Sequence, residues 1–266
     1  MSHVFDDALE LDPSGDGVLR GRTRPEWANM VGPFGGITAA VLLHSVEVQP
    51  DRVGTPVALT VNFAAPIADG EFDLVVDAVR TNRTNQHWYV QLRQDGEVKT
   101  TATAVFGIRR DTWTDTEVGA PDVPTPDGVD AEASTFATWF SNYDMRIVDG
   151  AIPASTEHAA TESTTTMWVR DADPRPVDYA SLSAMCDIFY PRIFLRRGEF
   201  VPAGTISLTT YFHADTAQLD AAGSDFLLGQ ARAHQFGGGF FDQTAHVWSR
   251  GGSLLATSHQ LVYFKG

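Results

Sequence analysis

The sequence predicts an α+β fold of two tandem units, each a curved antiparallel sheet wrapped around a central helix. Three observations carry this reading. Residues 37–46 and 180–190 are apolar around nearly their whole circumference, as helices enclosed by a sheet must be. Each is followed by alternating β-like runs of about eight to twelve residues, a length that suits a strongly curved antiparallel sheet. Finally, the order of elements in the first half returns in the second, and short segments match: Leu59-Thr60-Val61-Asn62-Phe63 against Leu208-Thr209-Thr210-Tyr211-Phe212, and Gln94-Asp95-Gly96-Glu97-Val98 against Arg250-Gly251-Gly252-Ser253-Leu254. The first pair is offset by 149 residues (208 − 59) and the turn glycines by 156 (252 − 96), so the second copy holds about seven more residues in between.

Taken in order, residues 8–23 read as strand, turn and strand, with Asp12-Pro13-Ser14-Gly15-Asp16-Gly17 supplying the turn. Asp12, Ser14 and Asp16 imitate the start of a calcium loop. The twelfth position, however, is Thr23 between Arg22 and Arg24, where a bidentate Glu is required, and the calcium reading fails. Gly32-Pro33-Phe34-Gly35-Gly36 breaks the chain before helix 37–46. Strands are expected at 57–64, 71–80, 87–94 and 98–109, with a turn at Asp95-Gly96. Residues 111–134 then turn acidic and Pro-rich (Asp115, Glu117, Pro121, Asp122, Pro124, Pro126, Asp127), which describes an exposed linker. The expected division is a first unit at 1–112, a linker at 113–135 and a second unit at 136–266. In that second unit a strand pair (143–148 and 165–170) precedes helix 180–190, and strands follow at 205–213, 226–234, 243–250 and 254–264.

On helix 180–190, Leu182, Met185, Cys186 and Phe189 stack at offsets 0, +3, +4 and +7, which makes Cys186 a packing residue. Asp187 breaks the pattern. Its i±3 and i±4 neighbours are Ala184, Ser183, Tyr190 and Pro191, so no local ion pair accounts for it. Two readings stay open: a buried carboxylate satisfied by backbone N–H groups or a distant Arg, or a desolvated carboxylate with a raised pKa that serves as a general base.

At this point the chain resembles the double-hotdog acyl-CoA thioesterases of the thioesterase II type, over nearly all of its length outside the linker. The resemblance implies a double hotdog that hydrolyses acyl-CoA to free acid and CoA, with a helix Asp, a Thr opening a strand and a Gln on the last strand holding and activating a water. Three positions match by context. Asp187 follows Tyr179-Ala180-Ser181, Thr205 opens the run from Gly204 to His213, and Gln260 lies within the terminal strand 254–263. Ser207-Leu208-Thr209 departs from the family's more polar Asp-His-Ser segment.

The chemistry stands apart from the name: a carboxylate can take a proton from water that a hydroxyl and an amide orient. In the first unit the offsets place about Thr38, about Pro56 and Ala104 at the corresponding positions, none of which keeps that chemistry. One active constellation is therefore expected, with the first unit as scaffold and groove wall. Helix N-terminal amides could supply an oxyanion site, at Ser181 to Ala184 or at Gly35 and Gly36, where the glycines serve either close approach of a ligand or simple chain-breaking. Arg192, Arg196, Arg197, Arg109 and Arg110 are either contacts for CoA phosphates or solvated surface. Gly237-Gly238-Gly239 reads as a strand connection.

Composition narrows the alternatives. With 43% hydrophobic and 20% charged residues the chain can bury a full core. A net charge of −15 argues against non-specific nucleic-acid or anionic-membrane binding, though not against an anionic small molecule such as acyl-CoA. One cysteine excludes an intrachain disulfide, and the N-terminus lacks a signal-peptide pattern, so a cytoplasmic location is expected. Nothing calls for a cofactor: the histidines show no HExxH or paired-Cys spacing for a metal, and there is no Gly-x-Ser-x-Gly elbow. Two rivals remain, a hotdog enoyl-CoA hydratase pairing Asp187 with His213 or His259, and a non-catalytic acyl-CoA-binding protein. Exposed sheet edges favour a homodimer or larger assembly.

Overall fold

The computed structural model describes residues 2–15, 17–132, 137–153 and 155–266. Asp16 of the calcium-like turn, and residues 133–136 where the linker was expected to end, lie outside them.

The first unit comprises α1 (Val4–Ala8), β1 (Asp12–Pro13), β2 (Val18–Arg22), α2 (Gly35–Glu47), β3 (Thr55–Phe63), β4 (Glu71–Thr81), β5 (Asn85–Gln94) and β6 (Glu97–Gly107). The second comprises β7 (Tyr143–Asp149), β8 (Thr165–Asp171), α3 (Tyr179–Met185), α4 (Arg192–Arg197), β9 (Ala203–Phe212), α5 (Thr216–Ala222), β10 (Leu227–Arg232), β11 (Phe236–Gly237), β12 (Phe240–Ser249) and β13 (Leu254–Phe264). Three short helices go beyond the sequence reading. For α5 the signal was present: Asp215 and Gln218 form a capping box, each side chain bonding the other's backbone N–H.

All described strands join one 13-stranded antiparallel sheet. Its order outward from the middle is β3, β6, β5, β4, β2, β1 on one side and β9, β13, β12, β10, β8, β7 on the other, the same order twice. The two halves meet where β3 pairs with β9, and Thr60 lies opposite Thr209 with their hydroxyls 3.0 Å apart. Those two residues are separated by 149 positions (209 − 60), the offset of the repeat. The pseudo-twofold axis passes between them.

Inside the curve, α2 and α3 lie against each other and share one core with both halves of the sheet: Leu42, Leu43 and Val46 join Trp88 and Phe106, while Leu182 and Met185 join Phe212 and Leu255. Burial of each large apolar side chain contributes about 1.5–3 kcal/mol. The helices approach closely at Gly36, where a Cβ would stand 2.6 Å from the carbonyl oxygen of Ala184. The N-terminus of α2 therefore sits beside the C-terminus of α3.

The stretch between the units divides in two. Residues 111–119 are exposed, as expected of a linker. Ala120 and Val123, by contrast, cover an apolar cluster of Trp168, Phe226, Leu228 and Trp248 on the outer face of the second sheet, and Trp168 Nε1 donates to Pro124 O at 2.9 Å. That outer face is too apolar to stand in water alone, so part of the acidic segment is held down. Among the described residues no helix is long and apolar enough to cross a membrane.

Candidate active site

The arrangement around Asp187 begins with how α3 starts and stops. Asp178 caps its N-terminus in a capping box with Ser181, whose N–H bonds the Asp178 carboxylate at 2.8 Å. Pro191 disfavours helical backbone at Tyr190, and the helix ends at Met185 rather than running to 190. Asp187 thus lies just past the Cys186 cap, its own N–H tightened onto Ala184 O at 3.0 Å. This corrects its expected place in mid-helix. The carboxylate is freed to face the second helix and the sheet.

There Asp187 Oδ1 accepts from Gln260 Nε2 at 2.9 Å, and Gln260 Oε1 accepts from Thr205 Oγ1 at 3.0 Å. The Asp187 carboxylate also accepts from the Gly36 backbone N–H. Burial pushes its carboxyl up to about 7, against the smaller pull of those hydrogen bonds from Gln260 and Gly36. The three residues matched by context therefore form one hydrogen-bonded chain.

Thr205 reaches this chain through a backbone irregularity. Leu208, Thr210 and Phe212 of β9 face the core, so strict alternation would turn Thr205 outward. The ladder shifts between Leu261 and Val262: Ser207 pairs with Leu261, but Val262 pairs with Thr205, and Ile206 is the extra residue. That bulge brings Thr205 onto the face that carries Gln260.

Asp187 and Thr205 stand on a wall common to two cavities. The smaller, of about 120 Å³, is bounded by aromatic side chains of the second unit together with Phe34. The larger, of about 360 Å³, opens between the units beside Phe63, Pro66, Ile67 and Tyr263. Gly35 lines the larger one, and a Cβ on it would lie 2.6 Å from Asp187 Oδ2. The close approach that the glycines permit is thus that of the Asp187 carboxylate. Gly36 gives its N–H to that carboxylate, which corrects its assignment as a substrate contact.

Several other expectations change. Arg192 is fully buried: its guanidinium donates to Tyr190 O, to Ser163 O at 3.1 Å and to Thr165 Oγ1 at 2.6 Å, so it cannot meet a phosphate. Arg196 is exposed, with its guanidinium 5.9 Å from the Phe236 ring centre, and lines neither cavity. Arg197 pairs with Glu199, while Arg109 donates to Pro56 O, Phe212 O and His213 O and so ties the two units together. The Ser181 amide is spent on the cap, at the end of α3 opposite Asp187. Among the described residues no histidine lines either cavity; His213 contacts Thr257 and His259 contacts Asp242.

Among the described residues the first unit has no equivalent chain. Aligning the helix caps Phe34 and Asp178 gives an offset of 144 (178 − 34), which places buried Leu43 opposite Asp187, in place of Thr38. Thr38 instead donates to Phe34 O at 3.3 Å and lines the larger cavity. Tyr179 fills the position of Gly35 and donates its hydroxyl to Ala214 O at 3.0 Å.

Sequence reasoning passed over Trp139, Phe140 and Gln243, all on the wall of the smaller cavity. Gln243 was within reach of it, since β12 pairs Gln243 directly with Gln260. Away from the cavities, one group of described residues has metal-ligand chemistry: Asp242 Oδ2 lies 2.6 Å from His234 Nδ1 and 3.2 Å from His259 Nε2. The other Asp242 oxygen accepts the backbone N–H groups of His234 and Gln235.

A family model for the acyl-CoA thioesterase C-terminal domain matches residues 117–264, and one for the acyl-CoA thioesterase N-terminal domain matches residues 23–107. A conserved protein of unknown function with a hot dog fold from Alicyclobacillus acidocaldarius is 47% identical, over 100% of this chain and 99% of that one, with a TM-score of 0.95. An acyl-CoA thioesterase II from Mycobacterium marinum is 21% identical, with 98% of each chain covered and a TM-score of 0.78. A tesB protein from Mycobacterium avium subspecies paratuberculosis is 20% identical over 100% of each chain, at a TM-score of 0.79. The two mycobacterial likenesses bear on the fold alone, which is an α+β double hotdog. No protein of curated function matches.

Proposed function

Since the chain belongs to the acyl-CoA thioesterase family, we propose that it hydrolyses an acyl-CoA to free acid and CoA by direct attack of water, with Asp187 as base and Thr205 and Gln260 as the groups that orient the water. The observation that carries this reading is the Thr205–Gln260–Asp187 hydrogen-bonded chain, whose Asp187 and Thr205 stand on the wall common to both cavities and whose Gln260 lines the smaller one. A thioester carbonyl at that wall would have its acyl group in one cavity and its CoA arm in the other. Asp187 takes a proton from water as the water oxygen bonds to the carbonyl carbon. The carbonyl becomes an oxyanion near the positive N-terminal end of α2. As it collapses the C–S bond breaks, and Asp187 returns the proton to the departing thiolate.

A carboxyl held at about 7 suits this role, because a large share of it is ionised at neutral pH and that form is basic enough to accept a proton. Below that pH it is protonated and cannot act. The expected kcat/KM profile therefore rises with pH through one step near 7. Thiol release from a panel of acyl-CoAs tests the reading: Asp187→Asn should lower kcat at least about 100-fold, and Thr205→Val and Gln260→Ala should lower it less. Full-rate hydrolysis by Asp187→Asn would sink the proposed base. Hydration of an enoyl-CoA without thiol release would move the reading to a hydratase, against which the absence of a lining histidine among the described residues already speaks. Binding without turnover would move it to a carrier.

A further inference from the structure

We propose that His234, Asp242 and His259 form a binding site for a divalent transition-metal ion on the outer face of the second sheet. The three residues line neither cavity, and the inference stands whether or not the hydrolytic reading does.

Local folding brings the three together. Phe236 and Gly237 of β11 turn back through Gly238 and Gly239 onto Phe240 and Phe241, the start of β12. Both turn glycines have positive φ, 59° and 82°, as a tight two-residue hairpin turn requires. The Phe236 ring stacks 5.4 Å from that of Phe241 and fastens the turn, which sets His234 beside Asp242. On its other side β12 pairs with β13, placing Asp242 opposite Leu261 and Thr244 opposite His259. Gln243 and Gln260 face the interior, so by strand alternation Asp242 and His259 share the outer face as diagonal neighbours. Successive ligands are 8 and 17 positions apart, so no compact sequence motif announces the group.

Geometry and chemistry fit an ion. Asp242 Oδ2 lies 2.6 Å from His234 Nδ1 and 3.2 Å from His259 Nε2, and the three atoms fall within 4.8 Å of one another. Bonds of about 2.0–2.2 Å put ligand atoms roughly 3.3 Å apart in a tetrahedral site. Small rotations of two half-exposed rings reach that spacing. The carboxylate is already aimed: its other oxygen accepts the N–H of His234 at 3.0 Å and that of Gln235 at 2.9 Å, the outer-shell support that metal-binding carboxylates use. A neutral imidazole offers a lone pair at the facing nitrogen by carrying its one proton on the other. Two imidazole nitrogens and one carboxylate oxygen suit zinc, cobalt or nickel, whereas calcium and magnesium take oxygen ligands. Water completes the coordination at this exposed position, and the ion ties the turn at His234 to β12 and β13.

The test uses the full chain without an affinity tag, treated with a chelator and dialysed. Zinc binding is measured by calorimetry, cobalt binding by its visible absorption, and stability by thermal denaturation. A single zinc ion should bind per chain, and excess zinc should raise Tm by about 2–4 °C; calcium and magnesium should do neither. His234→Ala and His259→Ala should each weaken binding at least about tenfold, abolish the Tm shift and remove the cobalt absorption. Asp242→Asn, which keeps an oxygen for the two backbone N–H groups, should weaken binding likewise. His87→Ala, which changes an exposed histidine of β5, should leave it unchanged. Absence of saturable zinc binding by the wild type would leave only a hydrogen-bonded His–Asp–His cluster and overturn the proposal. Binding that survives either histidine substitution undiminished, that falls equally in His87→Ala, or that calcium matches would overturn it too. Should Asp242→Asn not fold, the two histidine variants decide.

Discussion

Asp187 makes a residue-scale statement about stability as well as chemistry. In the unfolded chain its carboxyl has the ordinary value near 3.8, while burial raises it to about 7 in the native state. Between those values the folded protein binds the extra proton, so its stability falls as pH rises from about 4 to about 7 and stays lower above. Three pH units correspond to roughly 4 kcal/mol as an upper measure. Asp187→Asn is neutral throughout and escapes this loss. Its unfolding free energy relative to wild type should therefore grow by about 1–4 kcal/mol between pH 4.5 and pH 8.5, measured by urea denaturation at both. Asp171, pushed up to about 7 by its own burial, titrates over the same range in both proteins, so only the difference between them isolates Asp187. A difference that does not grow would mean that Asp187 ionises as readily in the fold as outside it. Arg192 shows the opposite limit of reading single residues. A basic run 192-Arg-Ile-Phe-Leu-Arg-Arg-197 resembles a phosphate site on paper, but Ile193, Phe194 and Leu195 bury the first Arg along with themselves.

At the scale of elements, the junction of α2 and α3 turns two ordinary helices into a site, and its two glycines have separable duties. A Cβ on Gly35 would stand 2.6 Å from Asp187 Oδ2, so Gly35→Ala displaces the carboxylate without touching backbone. A Cβ on Gly36 would stand 2.6 Å from Ala184 O and 2.4 Å from the Phe34 ring, so Gly36→Ala forces the helices apart. Gly35→Ala should keep a near wild-type melting curve while activity drops at least about tenfold. Gly36→Ala should lose about 1–3 kcal/mol of stability along with activity. Equal effects on stability from both would contradict this division. The same junction explains what was legible. Strands β3 to β6, β9, β10, β12 and β13 announce themselves by alternation and turn residues, and Leu59–Phe63 against Leu208–Phe212 exposes the repeat, because these patterns are local. The end of α3 was not legible, since Leu182, Met185, Cys186 and Phe189 keep helical spacing past the point where the helix stops: each is buried, but the last by a ring resting on Gly229 of the sheet. Nor was the bulge at Ile206 legible. Thr205 was matched by context, yet which face it takes depends on the pairing of β9 with β13, a contact between residues more than fifty positions apart.

For the whole molecule, the question is what holds two copies of one unit together when the linker is cut. The sheet runs without interruption through β3 and β9, the core is common to α2 and α3, and Arg109 bonds carbonyls of both halves. The site itself is divided: Gly35 and Gly36 come from the first unit, Asp187, Thr205 and Gln260 from the second. The chain between Asp111 and Gly119, by contrast, is exposed and, among the described residues, makes only local hydrogen bonds, such as Thr116 N–H to Asp115 Oδ1 at 2.9 Å. Cohesion should thus reside in the interface and not in the covalent link. A protease site inserted between Glu117 and Val118 allows the test. After cleavage the two fragments should co-elute, unfold together in a single transition and retain hydrolytic activity, if the proposed chemistry holds. Either fragment expressed alone should not fold as a monomer, because it would expose the edge of β3 or β9 and the apolar flank of its helix. Separation of the cut halves under native conditions would show that the linker, and not the continuous sheet, maintains the double unit.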